Sequence, residues 1–277
     1  MDTTKSKITG LRMILCNYYS YKVNIVGEQL KTLDKPTCIA LIARFRKDKQ
    51  TYVEALACFV KLCEIDMKIT INTDNLAGFK KEVDFYRFII PFLTDYQRSL
   101  VMAYDDQYYL SFPECVGATI SILSDREIPD ETGALVLLDL KDMGYTSPNA
   151  HLDLKSCKLV LSQMAKMHAA PIAVKLVSLE KFKAQVVPHL INARYRKKPY
   201  GHLDARTLTA DVLKMNDLSD LISYINSVIE YSKSATELDI IEDDTWFTLC
   251  HSNFNIRNLM IKYDPTGNPH SSLTSMY

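Results

Sequence analysis

Residues 135–175 read LVLLDLKDMGYTSPNAHLDLKSCKLVLSQMAKMHAAPIAVK, and a change of period inside this stretch sets the fold class. Its first part belongs to the run Ala134-Leu135-Val136-Leu137-Leu138, which follows Thr132-Gly133 and is short and aliphatic throughout, the signal of a buried strand. From Leu154 onward the pattern is different. Cys157, Val160, Leu161, Met164, Ala165 and His168 follow one another at helical steps, with Asp153 placed to cap the first turn. Asp139 to Tyr145 is the joint between the two patterns.

On the N-terminal side of the joint, Tyr18 to Val26, Cys38 to Phe45 and Met67 to Ile71 read as strands, and Tyr52 to Cys63 as a helix. Phe79, Val83, Tyr86, Ile90 and Leu93 share one face of an amphipathic helix over Leu76 to Leu93, followed by a β-prone region from Ser99 to Leu123. On the C-terminal side, Ala205 to Tyr231 reads as a long helix and Trp246 to Cys250 as a short strand after the acid-rich Glu237 to Asp244. A polar loop from His251 to Asn258 leads into Leu259-Met260-Ile261 and the turn Asp264-Pro265-Thr266-Gly267-Asn268, after which little is left for a second strand. The predicted class is α+β in two lobes: a strand-rich lobe over 1–138, a hinge at 139–145 and a mainly helical, incomplete lobe over 146–277.

Composition excludes several functions. Thirty-three basic residues balance thirty-three acidic ones, so no global field draws nucleic acid or an anionic membrane surface. Seven cysteines, an odd number with no C-x-x-C pair, argue against a disulfide framework or a cysteine zinc site and for a reducing compartment. His151, His189, His202 and His270 show no metal spacing. The N-terminus lacks an apolar run followed by a cleavage site, and no apolar stretch approaches the ~20 residues of a membrane-spanning helix, which together predict a cytoplasmic protein.

Three blocks then carry a resemblance: Leu135 to Lys175 with its Ala165-Lys166-Met167-His168-Ala169, Phe79-Lys80-Lys81-Glu82-Val83-Asp84-Phe85-Tyr86, and Leu249-Cys250-His251-Ser252-Asn253 through Asn258. Together they resemble the ecdysteroid kinase-like family, which has a two-lobed protein-kinase-like fold and is related to choline and aminoglycoside kinases. The resemblance implies ATP and Mg2+ as cofactors and a small-molecule alcohol, steroid-like or otherwise apolar, as substrate. In such enzymes a strand lysine holds phosphates, a helix glutamate holds the lysine, a loop aspartate accepts the hydroxyl proton, and an asparagine with a second aspartate binds magnesium.

On this resemblance Glu82 takes the helix glutamate position and Arg44, in Cys38-Ile39-Ala40-Leu41-Ile42-Ala43-Arg44, the strand lysine position. Asn253 stands at the catalytic aspartate, where a neutral amide orients a hydroxyl without accepting its proton. His251 precedes the loop as a brace, and Asn258 matches the metal-binding asparagine. Ser20, in Asn17-Tyr18-Tyr19-Ser20, faces phosphates, while Asp139 and Leu140 offer hinge backbone groups to adenine. The second metal aspartate and further C-lobe helices implied by the family are not found before Tyr277, so the sequence reads as a shortened, degenerate copy. An impaired kinase, a nucleotide- or ligand-binding regulatory protein and a non-functional product all fit this reading.

Overall fold

A computed structural model describes residues 11, 14, 23–33, 38–47, 54–64, 73–100, 112–123, 125–148, 151–190, 221–227, 246, 248–251 and 254–274. The chain divides into two compact units, Met1–Asn192 with Phe247–Tyr277 as one and Ala193–Trp246 as the other. In the second unit the described residues include a helical stretch at 222–227, inside the helix predicted over Ala205 to Tyr231. All further structure below belongs to the first unit.

Five antiparallel strands form its main sheet: β1 (Val23–Thr32), β2 (Cys38–Lys47), β3 (Glu54–Leu62), β4 (Cys115–Thr119) and β5 (Ala134–Leu138), in spatial order β1-β2-β3-β5-β4. β5 lies between β3 and β4, with Val60 opposite Val136 on one side and Gly117 opposite Val136 on the other. Its side chains alternate between two cores, which explains the unbroken aliphatic run. Ala134 and Val136 join Leu41, Ala43, Cys58, Val60, Leu62 and Val116 beneath the sheet, where Leu11 and Ile14 also pack. Leu135 and Leu137 join the opposite core with Phe85, Tyr86, Ile89 and Val174.

β3 corrects the predicted helix over Tyr52 to Cys63. Its Ala55, Leu56 and Ala57 suit a helix in isolation, but Cys58, Val60 and Leu62 are buried at two-residue intervals and the strand pairs on both sides. Tertiary pairing overrides local propensity here.

The predicted amphipathic helix is present and longer: α1 (Thr73–Asp84), a single π turn (Phe85–Ile89) and α2 (Ile90–Leu100) form one continuous rod. The last residues of this rod replace the start of the β-prone region, which contributes β4 further along. A π turn inserts a residue and so rotates the following side chains by roughly 100°. Ahead of the turn, Phe79 and Val83 pack with Cys63, while within it Phe85, Tyr86 and Ile89 meet the core of β5 and the C-terminal helices.

The helical half begins at α3 (Leu154–Val177), where Asp153 caps as predicted by accepting the Ser156 N–H at 2.7 Å. That N–H holds the exposed Asp153 carboxyl below its usual range. α4 (Leu179–Gln185) follows, then a 3-10 turn (Val187–His189). Thr248 to Cys250 are not in a strand, contrary to expectation; instead the Thr248 hydroxyl donates to the His168 carbonyl at 2.5 Å. After a 3-10 turn (Ile256–Asn258), β6 (Leu259–Tyr263) and β7 (Pro269–Thr274) make a hairpin. The second strand therefore exists and starts at Pro269; its polar His270-Ser271-Ser272 hides it from a hydrophobicity pattern. The turn is built by Asp264, whose carboxylate accepts the Thr266 hydroxyl at 2.7 Å and the Asn268 N–H at 2.9 Å, bonds that hold its carboxyl low, with Gly267 at φ 82°.

Gly133 opens β5 where backbone approaches backbone: a Cβ there would lie 2.7 Å from the Ile120 carbonyl oxygen and 3.1 Å from the Cys63 Cβ. Gly133→Ala is expected to lower unfolding free energy by about 1–3 kcal/mol, the usual cost of overpacking, as read by urea denaturation. A change below about 0.5 kcal/mol, the size of a surface substitution, would show that the strand entry yields.

Candidate active site: a strand lysine under a helix glutamate

The register of the sheet decides which cation meets Glu82. Phe59 and Lys61 alternate with the buried Cys58, Val60 and Leu62, so Lys61 emerges on the face over which α1 lies. There its Nζ donates to Glu82 Oε2 in a short ion pair. The Glu82 side chain is 7% exposed and that of Lys61 is 23% exposed, so the contact is shielded from water on the glutamate side. Burial pushes the Glu82 carboxyl above its usual range, and the Lys61 charge and hydrogen bond oppose that rise.

Arg44 does not occupy this place. Cys38 is the residue of β2 opposite Lys61, and Arg44, opposite Ala55, lies six residues further along (44 − 38). At 3.3–3.4 Å per residue this is roughly 20 Å along the strand, beyond the reach of any side chain to Glu82. Arg44 is exposed. The error follows from taking Tyr52 to Cys63 as helix, which removed Lys61 from the candidate strand residues. The alternation Cys58-x-Val60-x-Leu62, with a lysine in the gap, was the signal that could have found it.

The hinge residues lie on the same strand neighbourhood. Asp139 donates its N–H to the Ala57 carbonyl at 3.0 Å, extending the β3–β5 ladder by one step. Its carboxylate accepts the Lys141 N–H at 2.9 Å, and the buried Leu140 accepts the Tyr145 N–H at 2.9 Å through its carbonyl. Ala57 shares the face of Lys61, four residues away (61 − 57), so hinge backbone and lysine flank one stretch of β3.

The loop residues form a second group. His251 is buried, its ring edge-on to Phe254 with centroids 5.7 Å apart at 82°. Phe254 in turn packs on the cluster of Val160, Leu259 and Ile261. Asn258 is buried and closes its 3-10 turn by donating its N–H to the Asn255 carbonyl at 3.0 Å. Two further bonds tie this group to the joint: Thr146 and Ile261 exchange both backbone N–H···O contacts at 2.9 Å. Leu249, just before the loop, packs with Phe85 and Leu137. Ser20 and Asn253 lie outside the described residues, as does the predicted strand from Met67 to Ile71.

A sequence profile of the ecdysteroid kinase-like family matches residues 38–274. The chain belongs to the ecdysteroid kinase-like family. No curated protein and no solved structure matches it. The family assignment carries a kinase-like fold of the small-molecule phosphotransferase type, and the antiparallel sheet with its helix and the helical second half agree with it. A family of this kind uses ATP with magnesium in general. Among the described residues no three His, Cys, Asp or Glu side chains converge as a metal site requires. Asn258, at the position the family resemblance gives to metal binding, offers one neutral amide oxygen, a thin donor for a hard dication, and no step is routed through magnesium.

Removing the lysine leaves the glutamate with burial alone. In Lys61→Met the Glu82 carboxyl is therefore expected to titrate at still higher pH than in the wild type, as followed by carbon NMR of the labelled carboxylates. An unmoved Glu82 titration would break the assignment of the pair.

Proposed function

We propose that this ecdysteroid kinase-like protein binds ATP and that its phosphoryl transfer to a small, apolar alcohol is impaired. The observation that carries the binding half is the Lys61–Glu82 ion pair. A lysine anchored by a buried carboxylate presents a fixed positive charge beside the hinge, which is what the α- and β-phosphates of a nucleotide require. Lys61 thus replaces Arg44 as the phosphate-holding residue in this reading, and a weakness expected from the sequence disappears. Adenine would meet the backbone of Asp139 and Leu140, and Ser20 remains a candidate for a phosphate contact on its sequence resemblance alone.

The impaired half rests on Asn253. At the position of the family's proton acceptor an amide can hold the substrate hydroxyl in line but leaves the proton on it, forfeiting a positioned base worth about 10²–10⁴ in rate. His251, packed on Phe254, is assigned to bracing that loop. Balanced charge and the absence of a long apolar helix among the described residues support a cytoplasmic protein with a small-molecule partner, a steroid-like alcohol being the class the family suggests.

A thermal-shift titration with ATP tests this. Ligand at about 100 times its Kd stabilises by about 2.7 kcal/mol, which for a chain of this size raises Tm by roughly 5–10 °C. The expected result is such a shift in the wild type, equal in magnesium and in EDTA, lost in Lys61→Met, with little label passing from ATP to hydroxysteroids. No shift, or one that Lys61→Met retains, would refute nucleotide binding at this pair, and brisk label transfer would refute the impairment.

A further inference from the structure

The helix that carries Glu82 is held on its far side too, and we propose that this second hold, made by Asp84, Phe88 and His189, positions Glu82 for Lys61. The inference rests on the reading of Lys61 as the phosphate-holding residue. Asp84 follows Glu82 by two residues, or roughly 200° around the helix, so the two carboxylates leave the rod on nearly opposite sides. Asp84 is buried and accepts a bond from Lys80 Nζ at 2.6 Å. Its Oδ2 also stands 4.0 Å from His189 Nδ1. The His189 ring lies flat on Phe88, with centroids 4.3 Å apart and planes within 9°, and the Arg87 guanidinium carbon sits 5.1 Å from the same Phe88 ring.

The location of this clasp gives it a purpose. Phe88 is in the π turn, where the rod departs from the α-helical hydrogen-bond pattern. The apolar cores grip the rod ahead of the turn through Phe79 and Val83 and within it through Phe85, Tyr86 and Ile89. Burial of these faces sets the rotation of the rod coarsely, since apolar contacts are non-directional, and leaves its adjustment at hydrogen-bond scale to directional contacts. Lys61 and Glu82 need that rotation set, because an ion pair outside hydrogen-bond reach gives up its directional bond. His189 comes from the 3-10 turn after α4, whose Phe182 belongs to the same core, so the clasp references the rotation of Glu82 to the helical half. Phe88 itself remains partly exposed, which makes a purely core-filling role a poor account of it. Asp84, Phe88 and His189 are in this sense positioning residues, acting through Glu82.

Acetylation of Lys61 by acetic anhydride in the full chain at one fixed pH, read by mass spectrometry, reports the pair directly, and an ATP thermal shift runs beside it. Phe88→Ala and His189→Ala should each raise the Lys61 rate about two- to tenfold relative to exposed lysines, the factor equivalent to one aromatic pair. His189→Phe, which keeps the stack but loses the Asp84 contact, should fall between wild type and His189→Ala in rate. Val160→Ala, in the core of the hairpin, should lower Tm without changing the Lys61 rate. A Lys61 rate indifferent to both clasp variants, or moved equally by Val160→Ala, would overturn the proposal. If the wild type ignores ATP while Lys61 labelling still answers to Phe88→Ala, nucleotide binding fails and the clasp stands; ATP binding with indifferent labelling sinks the clasp alone.

Discussion

A carboxylate taken out of water is costly by several kcal/mol unless a cation comes with it, and Glu82 meets this condition through Lys61. That constraint organises the N-terminal half. Lys61 must leave β3 on the helix side, which sets the register of Cys58, Val60 and Leu62 toward the opposite core. α1 must then cross β3 at the level of Lys61, bringing Phe79 and Val83 onto Cys63. From that crossing an uninterrupted α-helix would aim its next turn away from Leu135 and Leu137, and the π turn at Phe85–Ile89 supplies the rotation that keeps both surfaces buried.

The second half of the site is held by backbone bonds and apolar contacts. Thr146 and Ile261 join the joint to the hairpin through two reciprocal hydrogen bonds, and Leu249 enters the core shared by Phe85 and Leu137. His251 and Asn258 therefore follow the hairpin, and the hinge and the loop move as one piece where these bonds persist. The thiols nearby play no chemical part in this: burial pushes Cys58 and Cys115 up to about 12, too high to furnish thiolate at neutral pH.

Much of the architecture was legible because some elements carry a pattern that no alternative shares. β5 is buried on both faces, and a five-residue aliphatic run after Gly133 admits few other readings. α3 announces itself through Asp153, and the Asp264 turn through its Asp-Pro-Thr-Gly sequence. β3 was misread because Ala55, Leu56 and Ala57 suit a helix and only pairing with β2 and β5 decides otherwise. That one error hid Lys61 and sent its role to Arg44. The π turn was beyond reach for another reason: it answers to two surfaces, one on the sheet and one on the helical half, whose relative angle no local run of residues encodes. β7 escaped notice because its polar residues are placed by the ladder to β6, with Ser272 buried among them.

The insertion of β5 between β3 and β4 has a consequence for the nascent chain on the ribosome. β1, β2 and β3 can zip together early, since each neighbour pair is close in sequence. Yet Val60 finds its partner only when Val136 has been synthesised, and until then β3 presents an open hydrogen-bonding edge bordered by apolar side chains. A newborn sheet of this kind waits, half finished, for more than seventy residues (136 − 60) to emerge, an interval in which strand-capping chaperones or sticky neighbours compete for the same edge.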